Sequence, residues 1–307
     1  MLNFWYFSHP GIYHTETEQM TVQEQENPTK PVNIKTIFEE KNPRLARFIP
    51  GFIYRFIHNM LALDDINEIL RNHGHKKDFE FANASIEMFN VSVELIGEEN
   101  LPKGGPFIFV SNHPLGGFDG VLLIREIGER YDRKYKVLVN DILMNIKNMN
   151  GVFFPLNKHG RQKAEHVKQL DEIFKSDLHV MTFPSGLVSR RSKGKIMDPE
   201  WKKNFVTKSQ QYKRDVVPIH FSGRCSNFFF NFANIRKFLG IKSNLEMFLL
   251  PRETFKHRNN HYVITIGKPI PYKIFDKKYC KPAEWASKVR NHCYNLAENP
   301  NATFKAS

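Results

Sequence analysis

The chain has 307 residues, of which 41% are hydrophobic and 25% charged, so it is long enough to bury a substantial core. Its formal charge of +13 predicts an anionic partner, such as an anionic lipid, a phosphorylated substrate or nucleic acid. No run of about 18 uncharged apolar residues occurs, which argues against a membrane-spanning helix. Three scattered cysteines (Cys225, Cys280 and Cys293) predict neither a disulfide scaffold nor a zinc site, so we expect a reducing compartment.

Residues 1–36 are predicted to form a flexible N-terminal segment. The chain opens with Met1-Leu-Asn-Phe-Trp-Tyr-Phe, which lacks the preceding basic residues and the small-residue cleavage site of a signal peptide. A hydrophilic stretch of the kind that often begins a protein starts at Met20. We therefore expect residues 1–19 to be an extension that is absent from the native protein.

Residues 37–90 are predicted to be an amphipathic helical region that faces a membrane. Aromatic and aliphatic residues recur there at steps of three or four, and arginines lie among them. Such a mixture is typical of a helix at a membrane interface, but a helix packed on the domain's own core would show the same pattern. The residues concerned are Phe48, Phe52, Phe56, Met60 and Leu63, with Arg44, Arg47 and Arg55.

From residue 91 to residue 307, β-like runs alternate with helix-like ones. This alternation predicts an α/β domain with a mixed, largely parallel sheet flanked by helices. The predicted strands are Ser92–Gly97, Pro106–Ser111, Tyr135–Asn140, Gly151–Pro155, His179–Pro184, Val216–Phe221 and Tyr262–Gly267. The predicted helices are Val121–Tyr131, Lys163–Lys175 and Pro282–Leu296.

The second predicted strand ends abruptly in Asn112-His113-Pro114, and a Gly-Gly pair and Asp119 follow. Loops at the carboxyl ends of strands are where α/β folds place their sites. A histidine that takes up a proton needs a partner that fixes its tautomer, and Asp119 can be that partner if the glycines allow a tight loop. An unremarkable loop histidine and an aspartate that caps the next helix would explain the same residues.

The segment from Asn112 to Asp119 resembles the first motif of the glycerolipid acyltransferase family, which includes bacterial 1-acylglycerol-3-phosphate acyltransferases. That motif is His, four residues, then Asp, whereas five residues intervene here. The form His-Pro-Leu-Gly-Gly-Phe-Asp-Gly resembles the branch that acylates lyso-ornithine and lyso-glycine lipids. The resemblance implies that His113 is the general base and Asp119 its partner.

Three further segments follow in the family's order. Residues 151–158 resemble the second motif, and residues 216–223 resemble the fourth. Residues 182–190 resemble the third, usually Phe-Pro-Glu-Gly-Thr-Arg, which binds the phosphate-bearing head group of the acceptor. Because Ser185 replaces the Glu and the Arg is displaced to 190 or 191, we expect a different acceptor.

The resemblance implies transfer of an acyl chain from an acyl-carrier-protein or CoA thioester to a lyso-aminolipid hydroxyl, without a cofactor or metal. 1-Acylglycerol-3-phosphate is the alternative acceptor. We also expect a peripheral location on the cytoplasmic face of the inner membrane, against an anionic lipid surface. The substrate-binding candidates are Asn112, Gly116, Gly117, Asn157, Lys158, Arg161, Pro184, Ser185, Gly186, Arg190, Arg191 and Pro218. Backbone N–H groups near Gly186 or the Gly116-Gly117 turn are candidate oxyanion donors.

Two other stretches are open to a functional interpretation. The basic cluster from Arg190 to Lys203 suits an anionic head group or an acidic carrier protein, although a solvated basic loop is the simpler explanation, except for Arg190 and Arg191. The aromatic run from Asn227 to Leu239 suits a membrane surface, an acyl tunnel or a structural lid. An internal ion pair is the simplest explanation of Arg252-Glu253.

Rival functions lack their sequence signatures. The charge alone would suit a nucleic-acid-binding protein, but no recognition motif of that class occurs. No Gly-x-Ser-x-Gly elbow of a serine hydrolase is present. His257 and His261 stand four residues apart without the acidic helical context of a zinc site, so we expect no metal there. A non-catalytic lipid-binding relative stays open because the His–Asp spacing is unusual.

Overall fold

The computed structural model describes residues 31–156 and 164–306. The helices in these ranges are α1 Ile34–Lys41, α2 Pro43–Phe48, α3 Gly51–Met60, α4 Leu63–His73, α5 Asp78–Glu87, α6 Gly117–Gly128, α7 Ala164–Lys175, α8 Asn204–Tyr212, α9 Asn227–Phe238, α10 Leu250–Phe255 and α11 Pro282–Asn295. The strands are β1 Ser92–Ile96, β2 Ile108–Ser111, β3 Tyr135–Asn140, β4 Phe153–Leu156, β5 His179–Thr182, β6 Arg190–Ser192, β7 Lys195–Met197, β8 Val216–Phe221 and β9 His261–Ile266.

Seven of the strands form one sheet in the order β1-β9-β8-β2-β5-β3-β4. Every neighbouring pair is parallel except β8 and β9, which are antiparallel. The sheet is therefore mixed and largely parallel, as the alternation of strands and helices predicted. Because β2, β5 and β8 run the same way side by side, the loops that follow them meet at one edge.

The central strand β2 is buried on both faces. Phe109 belongs to one apolar layer, together with residues of α5 and α6, whereas Ile108 and Val110 belong to the other, with residues of α8 and α11. This alternation follows from the period of two along a strand. A strand covered by helices on both sides reads as a continuous apolar run, which is why its position was evident in the sequence.

The predicted helical region of residues 37–90 is divided among several short helices. The first begins at Ile34, where the Asn33 side chain caps it by accepting from the N–H groups of Lys35 and Thr36. The last, α5, is buried in the α/β core through Phe79, Phe81 and neighbours. Only α1 to α4 therefore form a helical annex. Within the described residues, each helix is too short or too polar to cross a membrane.

The basic cluster contains an element that was not predicted. Strands β6 and β7 form an antiparallel hairpin, and the two residues of its turn, Lys193 and Gly194, both have positive φ. Two left-handed residues in a two-residue turn match the twist of a hairpin. Arg190, Arg191 and Lys195 are therefore held on a small ribbon rather than on a loop.

Candidate active site

His113 and Asp119 are in direct contact. His113 follows β2, and Asp119 lies in the first turn of α6 with its side chain fully buried. The Nδ1 atom of His113 lies 2.9 Å from Oδ1 and 3.1 Å from Oδ2 of Asp119. The carboxylate also accepts the N–H of Leu115 at 3.0 Å. Because a carboxylate accepts hydrogen bonds, it favours the proton on Nδ1, which leaves Nε2 as the basic nitrogen.

The extra residue between His113 and Asp119 is accommodated by the loop. Gly116 has φ +73°, and a Cβ there would lie 3.1 Å from a methyl group of Leu250. Both its backbone conformation and the close approach of Leu250 therefore favour glycine. A Cβ on Gly117, by contrast, would meet nothing within 4 Å. The helix begins at Gly117, four residues earlier than predicted, and its first turn brings Asp119 back to His113.

The third motif supplies the wall beside the histidine. The ring of Phe183, just after β5, stacks on the His113 ring with 4.4 Å between the centroids. A Cβ on Gly120 of α6 would lie 3.5 Å from the Phe183 ring, an ordinary van der Waals contact, so the ring packs closely on the start of α6. The imidazole is thus fixed by a carboxylate at one nitrogen and by an aromatic ring on one face.

The other residues of the third motif form a compact turn. Pro184 and Ser185 are buried, and the hydroxyl of Ser185 donates to the carbonyl of Leu187 at 2.6 Å. The Gly186 N–H donates to the carbonyl of Phe183 at 2.9 Å, and Gly186 has φ +61°. Gly186 is therefore already engaged as a donor. The first-turn N–H groups of α6, which begins at Gly117, lack intrahelical acceptors and are the better oxyanion candidates.

Two predicted substrate contacts lie inside the protein. The Asn112 side chain donates to the Phe221 carbonyl at 2.9 Å and accepts the Phe221 N–H at 2.7 Å, so both ends of its amide are used. Pro218 is buried in β8, opposite Val110 of β2. These residues tie the ends of β2 and β8 together beneath the site.

Arg190 and Arg191 differ in their surroundings. Arg190 is buried and pairs with the buried Glu246 at 2.9 Å. Arg236 of α9 approaches the second oxygen of Glu246 to 2.7 Å, outside hydrogen-bond geometry. Arg191 is half-buried, bonds to Asn231 and lies over the Phe230 ring. Of the two arginines, Arg191 is the one with a surface available to a head group. The predicted contacts Asn157, Lys158 and Arg161 lie outside the described residues.

Sequence analysis did not single out Asp198, which follows β7. Its Oδ1 accepts the backbone N–H of His113 at 3.1 Å. An aspartate 85 positions away in the chain carries no local signal of such a contact. Cys225 also borders this loop, with its Sγ 3.4 Å from the carbonyl of Pro114. Burial raises the pKa of the Cys225 thiol far above its usual range, so it is a poor nucleophile.

A set of exposed apolar side chains, called the aromatic face below, lies on the helical annex, on α9 and on the segment that follows α9. Its exposed side chains include Phe48 at 81% and Phe238 at 89%. Met60 of α3 packs against a buried cluster that also includes Phe229 and Phe230 of α9, so both helices contribute to one apolar cluster. The members of the aromatic face are Phe48, Phe52, Phe56, Phe228, Phe232, Ile235, Phe238, Leu239 and Phe248.

The remaining residues that sequence analysis considered are the two histidines four residues apart and the Arg252-Glu253 pair. His257 is buried, stacks on Phe118 and lies 2.6 Å from the Tyr262 hydroxyl. His261 is exposed on β9. Glu253 is buried and pairs with Lys256 rather than with Arg252. It also accepts the N–H of Ser226 at 2.6 Å, and Ser226 is the residue that caps α9.

Comparison with known proteins identifies the family of the chain. A family model described as Acyltransferase matches residues 36–302, and the chain belongs to this acyltransferase family. It is 45% identical, over 86% of its length and 97% of the relative, to a lyso-glycine lipid O-acyltransferase of Bacteroides thetaiotaomicron. It is 44% identical, over 86% of its length and 95% of the relative, to a protein of the same name from Phocaeicola vulgatus.

Among solved structures, the chain is similar to the 1-acyl-sn-glycerophosphate acyltransferase PlsC from Thermotoga maritima. The identity is 15%, the match covers 82% of this chain and 95% of that one, and the TM-score is 0.44.

Proposed function

We propose that this acyltransferase moves a fatty acyl chain from a thioester, carried by acyl-carrier protein or CoA, to the hydroxyl of a lyso-aminolipid. The observation that carries the proposal is the contact between His113 Nδ1 and the buried Asp119. It leaves Nε2 to accept the hydroxyl proton, and the adjacent carboxylate stabilises the imidazolium that forms.

The reaction balances without a covalent enzyme intermediate. The hydroxyl oxygen attacks the thioester carbonyl while His113 takes its proton, which gives a tetrahedral oxyanion. The backbone N–H groups at the start of α6 are the donors that would stabilise this oxyanion. Collapse forms the ester C–O bond and breaks the C–S bond, and the imidazolium returns the proton to the departing thiolate. Asp119 stays ionised throughout.

A lyso-glycine type acceptor is supported by the names of the two relatives at 45% and 44% identity. The site supports it too, because Ser185 stands where a phosphate-binding motif has Glu, and Arg190 is occupied by Glu246. Arg191 remains for an anionic group on the acceptor. Acylation of 1-acylglycerol-3-phosphate is the second candidate, and the overall likeness of the four motifs to that enzyme class favours it.

The exposed rings of the aromatic face support the proposal that the enzyme acts at a membrane surface. Aromatic rings beside arginines are suited to the boundary between acyl chains and anionic head groups. Arg44, Arg47 and Arg55 are exposed on α2 and α3, in the same helices as Phe48, Phe52 and Phe56. We therefore place the enzyme peripherally on the cytoplasmic face of the inner membrane, where thioester donors and anionic lipid are both available.

The test supplies purified protein with acyl-carrier-protein and CoA thioesters in turn. Lyso-glycine lipid, lyso-ornithine lipid and 1-acylglycerol-3-phosphate compete as acceptors, and lipid mass spectrometry reports the products. We expect the lyso-aminolipids to be acylated, and His113→Ala to abolish turnover with an unchanged unfolding temperature. His261→Ala, an exposed histidine on β9, is the matched control.

Each part of the proposal has its own contrary result. Turnover that survives in His113→Ala would end the role of His113 as base. Exclusive acylation of 1-acylglycerol-3-phosphate would move the acceptor to the alternative. Lipid binding without any transfer would favour a non-catalytic relative.

A further inference from the structure

The carboxylate of Asp198 is surrounded by hydrogen-bond donors. Oδ1 accepts from the His113 N–H at 3.1 Å and from the Ser189 hydroxyl at 2.6 Å, and Oδ2 accepts from the indole N–H of Trp201 at 2.8 Å. The Tyr294 hydroxyl lies 3.2 Å from Oδ1. Asp198 itself is 2% exposed. A buried carboxylate costs free energy unless such donors satisfy it, so the arrangement is built around this one group.

The donors indicate that Asp198 is ionised. Backbone and indole N–H groups can only donate. The His113 N–H faces Oδ1, and the indole N–H of Trp201 faces Oδ2. A protonated carboxyl would have to turn its own hydrogen towards one of them. Burial has the largest influence and raises the pKa of Asp198 above its ordinary value, while the bonds from Ser189, Trp201 and the His113 backbone act in the lowering direction. The imidazole of His113 also acts on this pKa in the lowering direction, as an attractive charge does.

The same residues connect the His113 loop to two other parts of the fold. The N–H of Ser189 donates to the carbonyl of His113 at 2.8 Å, so the main chain of His113 is held on both sides. Asp198 ends the β6–β7 hairpin, and its N–H donates to the Tyr294 hydroxyl of α11 at 2.7 Å. The loop after β2, the hairpin and the last helix therefore meet at one carboxylate.

We propose that Asp198 is a positioning residue for acyl transfer, which holds the main chain of His113 and provides a second fixed negative charge beside its imidazole. This inference rests on the proposed role of His113 as general base. Asp119 fixes the ring from Nδ1, whereas Asp198 fixes the backbone from which the ring projects. Both charges favour the imidazolium that forms when the hydroxyl loses its proton.

Among the described residues, the charged and titratable groups that contact or act on Asp198 belong to the His113 loop and α11. Besides His113, α11 contributes Arg290, which bonds to the Asp198 carbonyl, Tyr294 and Cys293. Burial raises the pKa of both Tyr294 and Cys293 far above their usual ranges, so neither titrates near neutral pH. Asp119 acts on His113 from α6. A change in the pH profile of activity on substitution of Asp198 is therefore assigned to His113.

The decisive variant is Asp198→Asn, with Trp201→Phe as the matched control. Asparagine keeps one oxygen for His113 and Ser189 but removes the charge, whereas Trp201→Phe keeps the charge and removes the donor on the far oxygen together with some buried apolar volume. We expect Asp198→Asn to lower kcat about 10²-fold with KM for the acceptor nearly unchanged. We also expect the acid limb of the pH profile to move to lower pH, because the imidazolium loses a stabilising charge. Trp201→Phe should leave the position of the limb unchanged.

In Asp198→Asn the new amide faces the Trp201 N–H, which places donor against donor and threatens folding. The double variant Asp198→Asn, Trp201→Phe removes that conflict and should show the same shift of the acid limb. The inference is overturned if the folded variant keeps the wild-type profile, or if its loss of kcat is no larger than that of Trp201→Phe.

Titration of the His113 imidazole by NMR separates this inference from the proposed function, because it needs no substrate. If wild-type protein acylates no acceptor, the proposed function fails. In that case a His113 titration that moves to lower pH in the Asp198 variants would still show that Asp198 acts on the imidazole, whereas a titration that does not move overturns the inference whatever the turnover.

Discussion

Two regions of the molecule differ in how they are buried: the edge of the sheet that holds His113, and the aromatic face. At the edge, Asp119 and Asp198 are almost entirely buried, and each carboxylate is satisfied by donors at 2.6 to 3.1 Å. On the aromatic face, large rings such as Phe48 and Phe238 are more than four-fifths exposed, with little of the described protein over them. The comparison teaches that the fold itself positions the polar groups of the site, whereas it leaves the large rings of the aromatic face exposed.

The largest expected effect lies on the buried side of this comparison. Asp119→Asn keeps an acceptor for the Leu115 N–H but removes the charge beside His113 Nδ1, so the basic tautomer is no longer favoured. We expect kcat to fall about 10³- to 10⁴-fold in acyl-transfer assays. Asp215→Asn is the matched control, because Asp215 bonds to the Tyr272 N–H before β8, at the opposite edge of the sheet. A loss of similar size in the control would show that general destabilisation is the cause.

A smaller effect is expected on the aromatic face. Replacing Phe48, Phe52 and Phe56 together by Ser removes apolar area worth about 1 kcal/mol per ring at an interface, so binding to vesicles should fall about 10²-fold. The measurement is co-sedimentation with vesicles of phosphatidylcholine and phosphatidylglycerol. Turnover of a short-chain, water-soluble acceptor should not change.

Tyr279→Ser is the control for this variant. Tyr279 is 81% exposed, like the rings of the aromatic face, but it does not belong to that face. It follows Phe275, which belongs to the apolar layer of α8 and α11. Equal losses of vesicle binding in the two variants would argue against the aromatic face as the docking surface. Unchanged binding of the triple variant would leave its exposed rings without a membrane role.

The smallest expected effect concerns acid stability. Burial lowers the pKa of His257 to about 4 from its ordinary value of 6.5. The unfolded chain therefore binds a proton that the folded chain does not, and this share of stability is lost as the pH falls from 6.5 towards 4. The unfolding temperature should drop across this interval, and His257→Gln should flatten the drop by about 2 °C. His261→Gln, at an exposed position, should leave it unchanged, and an identical drop in all three proteins would exclude this role of His257.

Much of the fold was predictable because it depends on local pattern. All seven strands of the main sheet were located, since buried parallel strands are continuous apolar runs bounded by turn residues. The hairpin of β6 and β7 was not predicted, because its strands have only three residues each and are basic. The start of α6 was placed four residues late, since a Gly-Gly pair resembles a loop more than the first turn of a helix.

The sequence by itself determined the class of this protein and the residue types of its site. The His-to-Asp segment and three further motifs in order were enough to indicate an acyltransferase, and the relatives agree. Only the tertiary structure decided which charges act on the site. Arg190 is next to Arg191 in the chain, yet Glu246 neutralises the first and leaves the second available. Asp198 reaches His113 from 85 positions away, because parallel strands bring distant loops to one edge and no local pattern records that meeting.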